Sequence, residues 1–230
     1  MQKKPAKIKT GITKKPKTSL SKSLYIMGLQ CHKALYLHHY HPELKNAITA
    51  FQEACFSQGS EVGILAQKLF PGGIEIPYEK GRYDAQVKKT LEAIRNGKKI
   101  IYEATFCFNG VFVKIDILKK GNKGWEIYEV KSSTKKKDVH IDDTAIQYYV
   151  ASGSGLKITE ANLVIINNKY VRSGDIQPDQ LFTVEPVTRD VLKLQSMIPD
   201  RLAAIRKALS GQMPNIDIGQ YCSEPISKSI

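Results

Sequence analysis

The 230-residue sequence has no run of about eighteen apolar residues, so we predict that no helix crosses a membrane. Its N-terminus has no apolar segment of the kind found in secretory signals. The first 22 residues contain lysine but no arginine, which argues against a transit peptide. Together these absences favour a cytoplasmic protein.

Cysteine is also sparse. The four cysteines are Cys31, Cys55, Cys107 and Cys222, and no two of them form a CxxC pair. This spacing argues against a zinc ribbon and against a secreted disulfide framework. Phosphate-binding loops are missing too, because no GxGxxG or Walker sequence follows a predicted strand.

Acidic residues are absent from residues 1–22, which hold eight lysines. The net charge of the chain is +13, so the remainder carries about +5. We predict a disordered, lysine-rich tail over residues 1–20 and a single domain over residues 21–230, because such a tail has too little apolar surface to fold alone. The tail is either a solvated segment or a binding arm for a polyanion, held by counterion release.

The apolar spacing predicts an α/β (α+β) domain built on a mixed sheet. The predicted helices are 21–37, 46–69, 82–96, 142–152 and 188–209, the last with a kink at Pro199. The predicted strands are 99–107, 111–119, 125–132, 161–167 and 181–184. Turn sequences at Asn109-Gly110 and at residues 121–124 join the first three strands into a meander.

Two carboxylates are predicted to face each other in this meander. If the second turn is centred on Asn122-Lys123, opposing residue numbers sum to 245 and Asp116 lies across from Glu129. The side chain of Lys131, two residues further on, then points to the same face as Glu129. Carboxylates about 5 Å apart repel each other, and a hard divalent cation such as Mg²⁺ would neutralise them.

This arrangement of charges predicts hydrolysis of a phosphodiester, with Lys131 orienting a water or helping to deprotonate it. A one-residue change of register would turn Glu129 and Lys131 to the opposite face. The alternative is a solvated edge hairpin with surface charges. Against that alternative, Asp116 lies in an apolar strand, where an unpaired carboxylate is costly.

Several separate segments between residues 20 and 225 carry a family resemblance. They are Leu20-Ser21-Lys22-Ser23, Gly28-Leu29-Gln30-Cys31, Gln58-Gly59-Ser60-Glu61-Val62-Gly63, Lys114-Ile115-Asp116, Tyr128-Glu129-Val130-Lys131 and Ala145-Ile146-Gln147-Tyr148-Tyr149. In this order they resemble the RecB-like branch of the PD-(D/E)xK nuclease superfamily, which includes the CRISPR-associated adaptation exonucleases and a related family of uncharacterised bacterial proteins. The resemblance implies a restriction-endonuclease-like core and a nuclease that acts on single- or double-stranded DNA with Mg²⁺ or Mn²⁺, an exonuclease rather than an endonuclease.

The resemblance also implies roles for individual residues. Asp116 and Glu129 would bind the metal together with the carbonyl of Val130. Lys131 would position the attacking water.

A second motif of the branch lies on the next helix. Gln147 matches the start of its Gln-x-x-x-Tyr motif, which supports the lysine and contacts nucleic acid. Ala151 stands in place of the tyrosine, so only Tyr148 or Tyr149 would substitute. For Gln147 and Tyr148 the alternative is simple helix packing.

The sequence departs from the branch at a third motif, Gly-x-x-x-His, where Gly63 replaces the metal-binding histidine. Glu61 and Glu103 are candidate replacements, and the number of metals stays open. Lys135 and Lys136 follow the third strand and either are solvated or grip a phosphate backbone.

Many members of this branch carry a [4Fe-4S] cluster held by one N-terminal and three C-terminal cysteines. Cys31 and Cys222 match two of these ligands, but the other two are missing, so we expect no cluster and a truncated or degenerate C-terminus. Two competing hypotheses remain. One is an inactive nucleic-acid-binding module of the same fold, and the other is a fragment that needs a protein partner or a missing C-terminal domain.

Overall fold

The computed structural model describes residues 19–217, 219 and 222. Almost all of the predicted tail, residues 1–18, therefore lies outside the described residues. Leu20, the last residue of the predicted tail, is fully buried and belongs to a strand, so it is part of the fold. Within the described part, no helix combines the length and the apolar character that crossing a membrane requires.

The centre of the protein is a mixed sheet of seven strands in the order β2-β3-β4-β5-β6-β7, with β1 paired to β4. The strands are β1 (Leu20–Ser21), β2 (Ile74–Glu75), β3 (Ile100–Phe108), β4 (Val111–Lys120), β5 (Trp125–Lys131), β6 (Ile158–Ile166) and β7 (Phe182–Pro186). The antiparallel meander β3-β4-β5 and the parallel pair β5-β6 confirm the predicted mixed α/β architecture. The strands β1 and β2 were not predicted, because two residues are too few for a periodicity to be visible.

Helices flank this sheet. They are α1 (Lys22–Gln30), α2 (His32–Tyr40), α3 (Ala50–Gln67), α4 (Tyr83–Arg95), α5 (Asp138–Gly153), the short α6 (Pro178–Leu181), α7 (Thr188–Leu194) and α8 (Ile198–Ser210). Two of the predicted helices are each divided in two. The first divides at Cys31, whose backbone is extended and whose Sγ accepts the N–H of Ala34 as an N-cap. The last divides at a short 3-10 turn over Gln195–Met197, and Pro199 lies in the first turn of α8, where a missing N–H costs nothing.

Apolar side chains pack against both faces of the sheet. The larger cluster includes the fully buried Ile146 of α5, so that helix covers one face. The smaller cluster lies on the other face, where Ala66 of α3 packs with Tyr102 and Tyr128. The site described below lies on the α5 side.

Strand β4 changes face at Asp116. Side chains two residues apart on a regular strand share a face, yet Ile115 packs in the larger cluster and Ile117 in the smaller one. The residues paired with them on β3 change faces in the same way, around Glu103, whose φ of 57° lies in the left-handed region. Glu103 and Asp116 therefore lie opposite each other at an irregular point of the sheet.

Candidate functional site

Strands β4 and β5 separate at the predicted site. Their pairing runs from Lys120↔Trp125 to Ile117↔Tyr128, in the predicted register, and ends there. Strand β5 continues to pair with β6 as far as Lys131↔Ile165. The two strands thus diverge at Asp116 and Glu129, and we call the space between them the strand gap.

Strand β5 stops pairing with β4 after Ile117, and β1 pairs with the same edge of β4 further along. Strand β1 pairs in parallel with Val111 and Phe112, while β3 holds the other edge of β4 over the same residues. Lys22 follows β1 directly, and Ser21 caps the helix that begins there by accepting the N–H of Leu24. The pairing of a two-residue strand therefore delivers Lys22 to the strand gap.

The carboxylate of Asp116 takes the place of a ladder hydrogen bond across the strand gap. Its Oδ2 accepts the N–H of Val130 at 2.7 Å. Because the N–H and C=O of one strand residue point to the same edge, the Val130 carbonyl faces the strand gap as well. The carboxylate of Asp116 and this carbonyl therefore lie on opposite sides of one space.

Next to the strand gap lies an ionic cluster formed by Lys22, Glu129, Lys131 and Asp143. Glu129 Oε1 accepts hydrogen bonds from Lys131 Nζ at 2.7 Å and from Lys22 Nζ at 2.9 Å. Asp143 also contacts both ammonium groups, pairing with Lys131 and lying 3.2 Å from Lys22 Nζ. The Nε2 of Gln147 donates to Glu129 Oε2 at 2.7 Å. None of these five residues is more than 8% exposed.

Asp143 and Gln147 reach Glu129 and Lys131 from α5. They are four residues apart, so they lie one above the other on the same face of the helix. That face packs against the sheet, and both residues are buried. Sequence reasoning found Gln147 but missed Asp143, although the i, i+4 spacing of two polar residues on a buried helix face was a visible signal.

Among the described residues, the site has one more carboxylate than ammonium groups. Three carboxylates, those of Asp116, Glu129 and Asp143, face the two ammonium groups of Lys22 and Lys131. Lys131 and Lys22 outweigh the effect of burial and hold the pKa of Asp143 well below its usual range. Burial, and next the charge of Asp116, raise the pKa of Glu129 to about 7.

Burial and neighbouring charges also set the pKa values of Asp116 and Lys131. Burial raises the pKa of Asp116, Lys22 opposes that rise, and the charge of Glu103 adds to it. For Lys131, burial lowers the pKa, but Asp143 and Glu129 more than compensate, so its pKa is raised and the side chain is an ammonium at neutral pH. The excess charge therefore falls on Asp116 and Glu129, the pair that borders the strand gap.

Of the two candidates for the missing histidine ligand, the structure brings only Glu103 near Asp116. Glu103 pairs with Lys114 on β4. Glu61 is exposed on α3 and accepts a weak hydrogen bond from Ser57. At Gly63 an added Cβ would meet no atom within 4 Å, so nothing packs into the place of the absent side chain.

Other predicted residues lie apart from the ionic cluster. The hydroxyl of Tyr148 donates to the Ile158 carbonyl at 3.4 Å, and Ala151 is fully buried in the larger apolar cluster. Lys135 and Lys136 are exposed on the loop after β5, and Lys136 pairs with Asp190 at 3.2 Å.

The cysteines are dispersed. Cys31 caps α2 and is half-buried, whereas Cys222 is exposed. Burial raises the pKa of Cys107 to about 11, so it stays a thiol. Over residues 19–217, 219 and 222, no group of three or more His, Cys, Asp or Glu side chains is arranged to hold a metal ion.

No protein family and no curated protein matches the sequence. Among solved structures, the protein is similar to an alkaline exonuclease from Laribacter hongkongensis, with a TM-score of 0.37 and 11% identity over 84% of this chain and 86% of that one. A phage-related exonuclease from Haemophilus somnus has a TM-score of 0.36 and 12% identity over 84% of this chain and 93% of that one. Likeness at this level carries no inference about chemistry, which depends on the geometry of the strand gap.

Proposed function

We propose that the protein is a metal-dependent deoxyribonuclease, in which Asp116 and Glu129 hold Mg²⁺ or Mn²⁺ and Lys131 positions the attacking water. One observation carries the proposal. Two strands separate where two carboxylates face each other, and a buried lysine lies 2.7 Å from one of them. Buried ionisable groups with raised pKa values in a break of the backbone ladder are typical of a functional site.

The oxygen atoms left over at the strand gap suit a hard divalent cation. Oε1 of Glu129 already accepts hydrogen bonds from two ammonium groups. Within the described part of the chain, Oε2 accepts only the Gln147 amide, which leaves one lone pair on Oε2. Asp116 Oδ1 and the Val130 carbonyl complete a set of three oxygen ligands. Mg²⁺ prefers such a set, with water and phosphate oxygens in the remaining positions.

The charge balance supports the same assignment. A divalent cation would compensate the excess charge on Asp116 and Glu129. The Oε1 atom of Gln147 is a second indication, because it is buried with no hydrogen-bond partner among the described residues, and a water bound beside Glu129 would satisfy it. When bound, the metal supplies Lewis-acid stabilisation of the charge that develops on the phosphate.

Each residue around the strand gap then has its own role in hydrolysis. Lys131, as an ammonium, cannot act as a base. It donates a hydrogen bond to the water oxygen and stabilises that oxygen as it loses its proton. The proton of the water passes to solvent, a P–O bond to the water oxygen forms, and the P–O bond to the sugar oxygen breaks, with the departing oxygen taking a proton from solvent. Gln147 keeps Glu129 in the orientation that presents Oε2, and Asp143 holds the end of Lys131.

Exposed lysines next to the site would bind the nucleic-acid backbone. Lys135 and Lys136 follow Lys131 by only four and five residues, and the lysine-rich residues 1–20 add charge. Phosphate contacts of this kind are independent of base sequence and weaken with salt. They suit an enzyme that acts on DNA of any sequence, and we retain the exonuclease expectation for testing.

The alternative is an inactive nucleic-acid-binding module. It is favoured by Gly63, which supplies no ligand, and by Ala151, which is buried in the core. Such a module would bind DNA without turnover.

Cleavage of end-labelled linear DNA and of circular DNA, single- and double-stranded, tests the proposal in Mn²⁺, Mg²⁺ or EDTA. We expect cutting of linear DNA that requires metal and disappears in Asp116→Asn and Lys131→Met. Lys119→Met is the matched control, because Lys119 forms an ion pair with Glu126 across the same two strands, at 3.0 Å and outside the strand gap. DNA binding by the wild type without cutting in any metal would instead establish the inactive module, and cutting of circles would replace exonuclease by endonuclease.

A further inference from the structure

Lys22 is the most distant member of the ionic cluster along the chain, 107 residues before Glu129. It is 8% exposed, and a lysine is rarely buried to this extent unless its charge is paired. The pairing of β1 with the vacated edge of β4 sets its position. Nothing in the proposed chemistry above requires it.

The ammonium of Lys22 closes a ring of alternating charges. It contacts Glu129 Oε1 at 2.9 Å and Asp143 Oδ1 at 3.2 Å, and Lys131 contacts the same two residues from its own side. Each carboxylate is therefore held by two ammonium groups and each ammonium by two carboxylates. An isolated Glu129–Lys131 pair would leave both side chains free to rotate about the contact.

The ring bears on the strand gap through Glu129. Both ammonium groups bind its Oε1 atom, which leaves Oε2 to the Gln147 amide and to a metal bound beside Asp116.

From these contacts we propose that Lys22 is a positioning residue, which orients Glu129 for the metal and limits the affinity of the site for that metal. The proposal rests on the proposed function, since it describes the same site. It explains why a second lysine is present although its charge weakens metal binding. A positive charge beside the metal site weakens binding, and the structure retains it for the geometry that it imposes.

Two effects of opposite sign follow for Lys22→Met. Removing a positive charge within a few ångströms should tighten Mn²⁺ binding by about tenfold or more. The rate of cleavage at saturating Mn²⁺ and DNA should fall by about tenfold or more, because Glu129 loses one of the two ammonium groups that orient it. Tighter metal binding together with a lower kcat is a combination that a merely structural role would not produce. Lys22→Arg, which keeps the charge, should bind Mn²⁺ within about threefold of the wild type.

Titration of the metal-free full-length protein with Mn²⁺, followed by the loss of the free-ion signal in electron paramagnetic resonance, measures the affinity without any reaction. Lys119→Met again controls for the loss of one positive charge. Asp143→Asn is the second variant. It removes a negative charge from the ring and should weaken Mn²⁺ binding by about tenfold, whether or not Lys22→Met folds.

The outcomes separate the two proposals. Mn²⁺ binding by the wild type that Asp116→Asn abolishes is expected, and its absence would overturn the proposed function itself. If that binding is present but Lys22→Met binds Mn²⁺ no more tightly than Lys119→Met, the inference about Lys22 is wrong and the metal site stands. Should Lys22→Met fail to fold, unchanged binding in Asp143→Asn would overturn it equally.

Discussion

Replacing Glu129 by glutamine should change how stability depends on pH. The pKa of Glu129 is raised from 4.5 to about 7 in the folded state, so folding strengthens its hold on a proton. The sign follows directly. The stabilisation is fully present below pH 4.5, and it is lost as pH rises through about 7. Glutamine has the same shape, cannot titrate, and removes this dependence.

The size follows from the two pKa values. Between pH 5 and pH 8, the free energy of unfolding of the wild type should fall by roughly 2–3 kcal/mol relative to that of Glu129→Gln. Groups far from Glu129 titrate alike in both proteins and cancel in this difference. Because Glu129 is 1% exposed, solvent screening reduces the value little.

Urea unfolding in EDTA at half-unit pH steps, followed by circular dichroism, measures both profiles. The variant should be the more stable protein at pH 8, although it would be inactive. Excess Mn²⁺ should raise the stability of the wild type at pH 8 and leave the variant unchanged. Parallel profiles for the two proteins would refute the charge accounting on which the metal site depends.

Three further predictions concern single changes. Mn²⁺ binding should tighten by about tenfold as pH rises from 6 to 8 and level off above that, because the proton on Glu129 must leave first. Calorimetric titration at each pH checks this, and a flat profile would contradict it. Glu103→Gly should be more stable than Glu103→Ala by about 1 kcal/mol, because the φ of 57° at this position strains any residue with a Cβ. In a regular strand glycine would be the less stable of the two. Equal midpoints in urea would contradict this backbone strain. Gly28→Val should lower the free energy of unfolding by about 1–3 kcal/mol, because a Cβ there would lie 2.8 Å from Cγ1 of Ile205 on α8. Thermal unfolding measures this, and an unchanged midpoint would show that α1 and α8 adjust without cost.

The hairpin was predictable because its information is local. A short turn fixes which residues oppose each other, so the register of β4 and β5 follows from Asn122-Lys123 and places Asp116 beside Glu129. The position of Lys131 follows from alternation along one strand. The metal-binding and catalytic roles of these residues stay predictions.

The rest of the site depends on distant contacts. Lys22 was assigned to the basic N-terminal run by its charge, because nothing in the sequence shows that a two-residue strand pairs with β4. Asp143 requires the depth at which α5 packs on the sheet. The break at Cys31 escaped prediction for a different reason, since cysteine is seldom an N-cap and apolar residues continue on both sides.

The length of chain between Lys22 and Glu129 has a consequence for synthesis. Their contact closes a loop of more than a hundred residues, and Gln147 extends the requirement further. Long-range contacts form late because the entropy of closing the loop must be overcome first. On the ribosome, β1 emerges early but cannot find its edge of β4 until ninety further residues have followed. A nascent chain therefore has no assembled strand gap until α5 has been made. The ionic cluster beside the gap forms only once most of the domain has folded.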